Sequence, residues 1–198
     1  MKKGFFVAIE GLDGAGSSTQ SRILSEKIAG SVLTKEPCDG TLIGDFIRGI
    51  LRHKHKTDNT TLQLLFAADR KHHYETVIKP AMDANKVVIS DRYVFSSMAY
   101  GLNNPVEWIE AINSTVPKPD ITFFLDVLPS ICMQRINGSR ASTELFEKES
   151  YLKQVRKRYV QIAQNPDNRI IVIDGTQSQE RVASTIWNIL VKEFKINV

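Results

Sequence analysis

The chain has 198 residues, of which 42% are hydrophobic and 24% charged, an ordinary balance for one soluble globular domain with length enough for a core, spanning residues 1–198. Its net charge of +4 suits anionic substrates such as nucleotides, but is too small and too scattered to indicate nucleic acid. Cys38 and Cys132 match no metal spacing and read as free thiols of a reducing compartment; Met1–Gly4 leads into an apolar run too short for a secretory signal or a membrane span, so a cytoplasmic protein with no membrane partner is expected.

That run, Phe5-Phe6-Val7-Ala8-Ile9, predicts a buried strand. Behind it stand Gly11, Gly14 and Gly16, and a helical pattern opens at Ser17. Glycines let backbone N–H groups turn inward onto phosphates, and a helix start adds unpaired donors and a positive dipole end. Gly11 and Gly16 have the spacing of a P-loop, and Ser18 stands where a hydroxyl reaches Mg²⁺. Gly11, Leu12, Asp13, Gly14, Ala15, Gly16, Ser17, Ser18 and Thr19 are therefore the expected phosphate-binding residues. The pattern asks for Lys at position 17, and the chain has Ser: the backbone cradle is kept and a point charge is lost.

Ile23, Leu24 and Ile28 continue a helix over Ser17–Ala29 that Gly30 ends, and a short strand follows at Ser31–Thr34. Lys35 to Thr41 is turn chemistry at the C-terminal end of that strand, the edge that faces ligand in open parallel sheets. Leu42–Leu51 predicts a helix with Ile43, Phe46, Ile47 and Ile50 on one face and Arg48 on the other; His53–Lys56 reads as a solvated basic turn. Thr60–Met82 is a long helical stretch that Pro80 kinks or ends, with Phe66 and Arg70 sharing a face and His72 and His73 taken as surface residues. Val87–Ile89 is a third buried strand. Asp91, just beyond it, lies beside the P-loop if the two strands are neighbours, where an acid organises Mg²⁺ and its waters.

Short helices are expected at Ser96–Tyr100 and Val106–Ser114, a strand at Ile121–Asp126 and a helix at Pro129–Ile136. Asn137–Thr143 is polar without hydrophobic period, and a short mobile lid is expected over about residues 138–146. A Lys- and Arg-rich helix over Glu147–Ala163, a strand over Arg169–Gly175 and an amphipathic helix over Gln179–Phe194 complete the pattern. Five strands alternating with helices, the first followed by a phosphate loop, predict an α/β fold: a P-loop three-layer α/β/α sandwich on a five-stranded parallel sheet.

Taken together, Glu10–Gln20, Thr34–Pro37, Phe66–Arg70, Val77–Ala81, Asp91–Tyr93, Ser96–Tyr100, Pro119-Asp120 with Phe124–Asp126, and Arg140 run nearly end to end in an order and spacing that resembles the thymidylate kinases, a family of P-loop nucleoside monophosphate kinases. The resemblance implies transfer of the γ-phosphoryl of ATP to dTMP with Mg²⁺, a step toward dTTP, by a protein that often forms homodimers through helices. It implies that Phe66 stacks on thymine, Arg70 donates to its O4, Ser97 meets the N3 edge, and Tyr100 crowds the ribose 2′ position. It further implies that Asp13 lies near the sugar 3′-hydroxyl and the acceptor phosphate, that Arg48 and Arg92 hold that phosphate, that Glu36 and Pro37 shape the pocket, and that Arg135 lies against adenine. Gly14 stands where some members carry a basic residue, which fits the branch that supplies an arginine from the lid, here Arg140; Gly101-Leu102 replaces the more usual polar continuation after Tyr100.

Phosphoryl transfer needs positioning and cations more than covalent help. The expected cationic machinery is Mg²⁺ through Ser18 and Asp91, Arg92 on the acceptor, and Arg140, with Arg135, in place of the missing lysine. A related kinase with another acceptor such as dUMP, and a nucleotide-binding homologue weakened by Ser17, remain alternatives at this point.

Overall fold

In the computed structural model, which describes residues 4–138 and 144–195, the first apolar run forms β1 (Phe6–Gly11), buried throughout. A tight loop leads into α1 (Ser17–Lys27), followed by β2 (Val32–Lys35) and α2 (Leu42–Leu51). Then come α3 (Asn59–His73), a π-helical turn at Tyr74–Ile78, α4 (Lys79–Asp83) and β3 (Val88–Asp91). After α5 (Val94–Tyr100), α6 (Val106–Ile112) and β4 (Ile121–Asp126) follow α7 (Pro129–Asn137), α8 (Glu149–Ala163), β5 (Ile170–Asp174) and α9 (Gln179–Phe194).

The strands form one sheet in the order β2-β3-β1-β4-β5, every pairing parallel. α1 and α9 pack together over one face; α5, α7 and α8 pack over the other. Strands covered on both faces must be apolar on both, so β1 and β4 read as continuous hydrophobic runs rather than alternating ones. Tyr159 of α8 stacks on Phe124 of β4 with ring centroids 4.6 Å apart, tying that layer to the sheet. Burying a side chain of this size stabilises by about 1.5–3 kcal/mol. The register pairs Ile9 with Asp91, so the acid at the end of β3 does stand beside the strand that feeds the phosphate loop. The sheet runs from β1 to β3 and β2 on one side and to β4 and β5 on the other, which opens a crevice at the C-terminal ends of the strands.

Three local expectations are corrected. Phe46, expected on one face of α2 with Ile43, Ile47 and Ile50, does not share the burial of Ile47 and Ile50: it is 45% exposed and lies against the His55 ring. Gly44 faces inward in its stead: a Cβ there would come within 1.9 Å of the Cys38 carbonyl oxygen, so α2 turns its glycine side to the chain and Phe46 outward. Pro80 stands at the start of the short α4 rather than at the end of a helix, and the interruption falls just before it, as a π turn. Its ring excludes the carbonyl four residues back, and the π turn absorbs the misfit, with the Lys79 N–H donating to the Tyr74 carbonyl. His73 is not a surface residue but 1% exposed, its Nε2 2.6 Å from Thr34 Oγ1 and its Nδ1 3.0 Å from Glu36 Oε1.

Of the segment expected to form a lid, residues 144–146 rest on the body with the Leu145 side chain exposed: the Leu145 N–H donates to the Leu51 carbonyl at 2.9 Å, and Phe146 stacks on Tyr151. Residues 139–143, and with them Arg140, lie outside the described residues.

Candidate active site

The phosphate loop has the conformation its glycines permit. Gly14 and Gly16 have φ of +82° and +102°, a region that side chains disfavour, and a Cβ on Gly14 would stand 2.7 Å from the Cys132 carbonyl oxygen. The Ala15 N–H closes the turn onto the Leu12 carbonyl at 2.9 Å. Gly16 caps α1 without any side chain accepting from its first turn, so those amides remain open to an anion. Ser17 is nearly buried, and Ser18 and Thr19 follow on the first turn. The loop lines an open cleft with Gln20, Arg135, Gln177 and Val182. Arg135 is fixed there by donating to the carbonyls of Gly14, Ala15 and Gly175 at 3.2–3.3 Å.

At the foot of this cleft Ser18 Oγ donates to Asp91 Oδ2 at 2.5 Å, while Asp91 Oδ1 is buried without a hydrogen-bond partner. No group of three His, Cys, Asp or Glu residues among the described residues could hold a metal. A hydroxyl plus one carboxylate with a spare oxygen suits a hard divalent cation that keeps its waters and takes its other ligands from phosphates, rather than an all-protein cage.

A second cavity, open to solvent, lies between α3 and α5. Phe66, Arg70, Ser97, Tyr100, Glu36 and Pro37 line it, as expected, together with Leu51, Gln63, Tyr93, Ser96 and Phe146. Asp13, Arg92 and Glu144 line both cavities, which therefore meet at those residues.

The junction is tightly held. Arg92 adopts φ +70°, a left-handed conformation rare for a residue with a side chain and concentrated at functional sites. Its Nη1 donates to the Gly11 carbonyl at 2.9 Å and to Ser96 Oγ at 3.2 Å, and its Nη2 to Asp13 Oδ1 at 2.8 Å. The guanidinium lies 5.3 Å from the Tyr100 ring centroid. Tyr100 Oη accepts from the Asp13 N–H at 3.0 Å and donates to Asp13 Oδ2 at 3.2 Å. Beneath the turn, Glu10 is fully buried and accepts from the Tyr93 and Ser96 N–H groups, Ser96 Oγ and Tyr159 Oη. Burial pushes its carboxyl above the usual range, opposed by those hydrogen bonds and by Arg92.

Arg70 is 1% exposed and mostly committed to protein partners. Its Nε donates to Glu36 Oε2 at 2.8 Å, Nη1 to Asn113 Oδ1 at 2.5 Å, and Nη2 to Ser97 Oγ and the Tyr93 carbonyl. Only one Nη1 hydrogen is left to face the cavity. Ser97 is thus a holder of Arg70 as well as a wall residue. Glu36, through its other oxygen, meets His73, and its peptide bond to Pro37 is cis. Arg48, expected on the acceptor phosphate, lines neither cavity; it donates to the Pro37 carbonyl and pairs with Asp39, holding the wall of the pocket from behind. Both cysteines are buried, and burial holds their thiols protonated, pushing Cys132 up to about 11 and Cys38 higher still.

Gln63, a lone amide on α3, and Asn113, a lone amide just after α6, carry no spacing signal in sequence; Tyr93 and Ser96 were legible only as parts of quoted motifs.

The thymidylate kinase family profile matches residues 9–186. The chain belongs to the thymidylate kinase family. It is 40% identical over 189 residues to a protein of Pyrobaculum aerophilum named a probable thymidylate kinase, covering 93% of this chain and 95% of that one. It is 39% identical over 210 residues to the thymidylate kinase of Aster yellows witches'-broom phytoplasma, covering 98% of this chain and all of that one (100%). Among solved structures, a thymidylate kinase from Candida albicans, described as having broad substrate specificity, superposes with a TM-score of 0.83 at 27% identity, covering 99% of this chain and 96% of that one. Membership makes nucleotides the substrates, ATP the phosphoryl donor and a divalent metal its usual companion. No helix among the described residues is long and apolar enough to cross a membrane.

Proposed function

We propose that the chain transfers the γ-phosphoryl group of ATP to dTMP, giving dTDP and ADP, with Mg²⁺ as the divalent ion. The observation that carries this is the meeting of the two cavities at Asp13 and Arg92. One is floored by a phosphate loop and the other walled by an aromatic ring and a guanidinium, so two nucleotides fit end to end with their phosphates together.

In this arrangement ATP lies on the Gly11–Thr19 loop with adenine toward Arg135. The acceptor base stacks on Phe66, meets the free Arg70 N–H through its O4 and passes Ser97, while Tyr100 lies under its sugar. Arg92 and Asp13 hold the acceptor phosphate and the sugar beside it. An acceptor phosphate has a second pKa of about 6 and is largely a dianion at neutral pH, so no general base is required. Its oxygen attacks the γ-phosphorus as the bond to the β–γ bridging oxygen breaks. Ser18 and Asp91 would hold a divalent ion, which would supply charge neutralisation for the phosphates when bound. Arg92, locked by Gly11 and Asp13, supplies fixed positive charge, and Arg135 does so on the other side of the loop that lacks a lysine. Arg140 is the further guanidinium assigned by sequence.

The enzyme acts on free nucleotides in the cytoplasm, as a homodimer. Leu42 and Phe46 on α2 and Leu64 on α3 are 93%, 45% and 48% exposed, an apolar surface that a second copy would cover; sedimentation of the purified protein tests this. A coupled assay with ATP, Mg²⁺ and a panel of monophosphates tests the activity. Fastest turnover is expected on dTMP. ATP binding without turnover on any acceptor would select instead a protein disabled by Ser17.

A further inference from the structure

We propose that Gln63 reads the imide edge of the acceptor base, an assignment that rests on the dTMP reading above. Gln63 lies on α3, three residues before Phe66 and seven before Arg70, on the stripe that faces the base cavity. Its side chain is fully buried, yet neither Oε1 nor Nε2 has a partner among the described residues. Buried amides are nearly always satisfied, and leaving both ends unpaired destabilises the empty protein. A ligand that completes the pairing would relieve that cost.

The surroundings give the amide room and leave it little competition. A Cβ at Gly101 would stand 2.4 Å from Ile109 Cδ1, 2.8 Å from the Ser97 carbonyl oxygen and 3.3 Å from Gln63 Cδ, so the glycine after Tyr100 relieves crowding on this side of the carboxamide among others. Ser97 Oγ and Glu36 are already engaged by Arg70. Around Arg70, the polar groups that keep hydrogen-bonding capacity toward a base are the Gln63 amide, one Arg70 N–H, the Ser97 hydroxyl hydrogen and Tyr93 Oη, which is also without a partner among the described residues.

A thymine or uracil edge presents N3–H flanked by carbonyls. A carboxamide offers one acceptor for N3–H and one donor for a neighbouring carbonyl. Rotating the amide would suit cytosine, but Arg70 can only donate and cannot accept the exocyclic amino group. Gln63 and Arg70 together thus favour an imide over cytosine, and Gln63 is indifferent to the 5-methyl group.

The test uses the full chain and two variants, Gln63→Leu and Gln63→Met, with steady-state kinetics on dTMP, dUMP and dCMP and thermal unfolding with and without dTMP. Expected in both variants are a KM for dTMP and for dUMP raised about tenfold or more with kcat within about threefold, and a smaller preference over dCMP. Unliganded Tm should be equal or higher, and the stabilisation by dTMP smaller. Wild-type kinetics with a lowered Tm in a folded variant would make Gln63 a structural residue and overturn the inference. A wild-type protein that turns over dTMP alongside unchanged variants overturns this inference alone. A wild-type protein that neither binds nor phosphorylates dTMP overturns the proposed function, and this inference with it.

Discussion

Replacing Glu36 by Ala should unfold the protein at a markedly lower temperature, because it strands the Arg70 charge. The two side chains are 3% and 1% exposed, and their closest contacts are 2.8 Å. Truncating one partner of a buried ion pair costs about 3–5 kcal/mol, since the remaining charge keeps its desolvation penalty without its counter-ion. Asn113, Ser97 and the Tyr93 carbonyl stay bonded to Arg70 and place the expected cost toward the lower end. For a chain of this size each kcal/mol moves Tm by about 2–4 °C, so a fall of about 6–20 °C should appear in calorimetry. Removing both charges together, as Glu36→Leu with Arg70→Met, leaves no stranded ion and should recover most of that stability. The double variant should nevertheless remain poor on dTMP. A lost hydrogen bond from a charged donor is worth about 1.5–3 kcal/mol, or a fall in kcat/KM of about 10- to 150-fold. A Glu36→Ala shift below about 3 °C, or a double variant with full activity, would refute the role given to the pair.

Four further outcomes are expected. Arg135→Ala should raise the KM for ATP about tenfold and leave that for dTMP unchanged, because Arg135 lines the loop cleft and not the base cavity. Asp91→Ala should raise the Mg²⁺ concentration needed for half-maximal rate about 10- to 100-fold, read from a metal titration of initial rates after EDTA treatment. Gly14→Ala puts a Cβ against the Cys132 carbonyl at positive φ and should lower stability by about 1–3 kcal/mol, measured by denaturant unfolding. The fourth concerns alkaline pH: burial holds the phenols of Tyr93, Tyr100 and Tyr159 far above the ordinary value of about 10, and raises Tyr151 to about 12. The folded state then keeps protons that the unfolded chain releases, so stability should fall as pH rises above about 10, with phenolate absorbance from these residues appearing only on unfolding.

Elements whose signal is local and one-dimensional were legible in sequence. β4 and α9 have the bounds expected, since a strand buried on both faces is an unbroken apolar run and an amphipathic helix repeats its own face. The phosphate loop was legible because three glycines in one short turn have no other common use. What could not be read depends on distant partners. Burial of His73 comes with partners on and just after β2, Thr34 and Glu36, which are 39 and 37 residues away in sequence. The outward turn of Phe46 comes from a glycine that hydropathy does not weigh. Arg70 was legible as a pocket residue, but its near-complete capture by Glu36, Asn113 and Ser97 needs three separate elements brought together.

If two nucleotides lie end to end across Asp13 and Arg92, one ligand can span both cavities. Calorimetric titration with adenosine joined to thymidine through five phosphates tests it most directly. One molecule per chain should bind more tightly than ATP or dTMP alone, since the second half binds at high effective concentration, and saturating dTMP and saturating ATP should each weaken it. Binding no tighter than ATP and indifferent to dTMP would contradict the account.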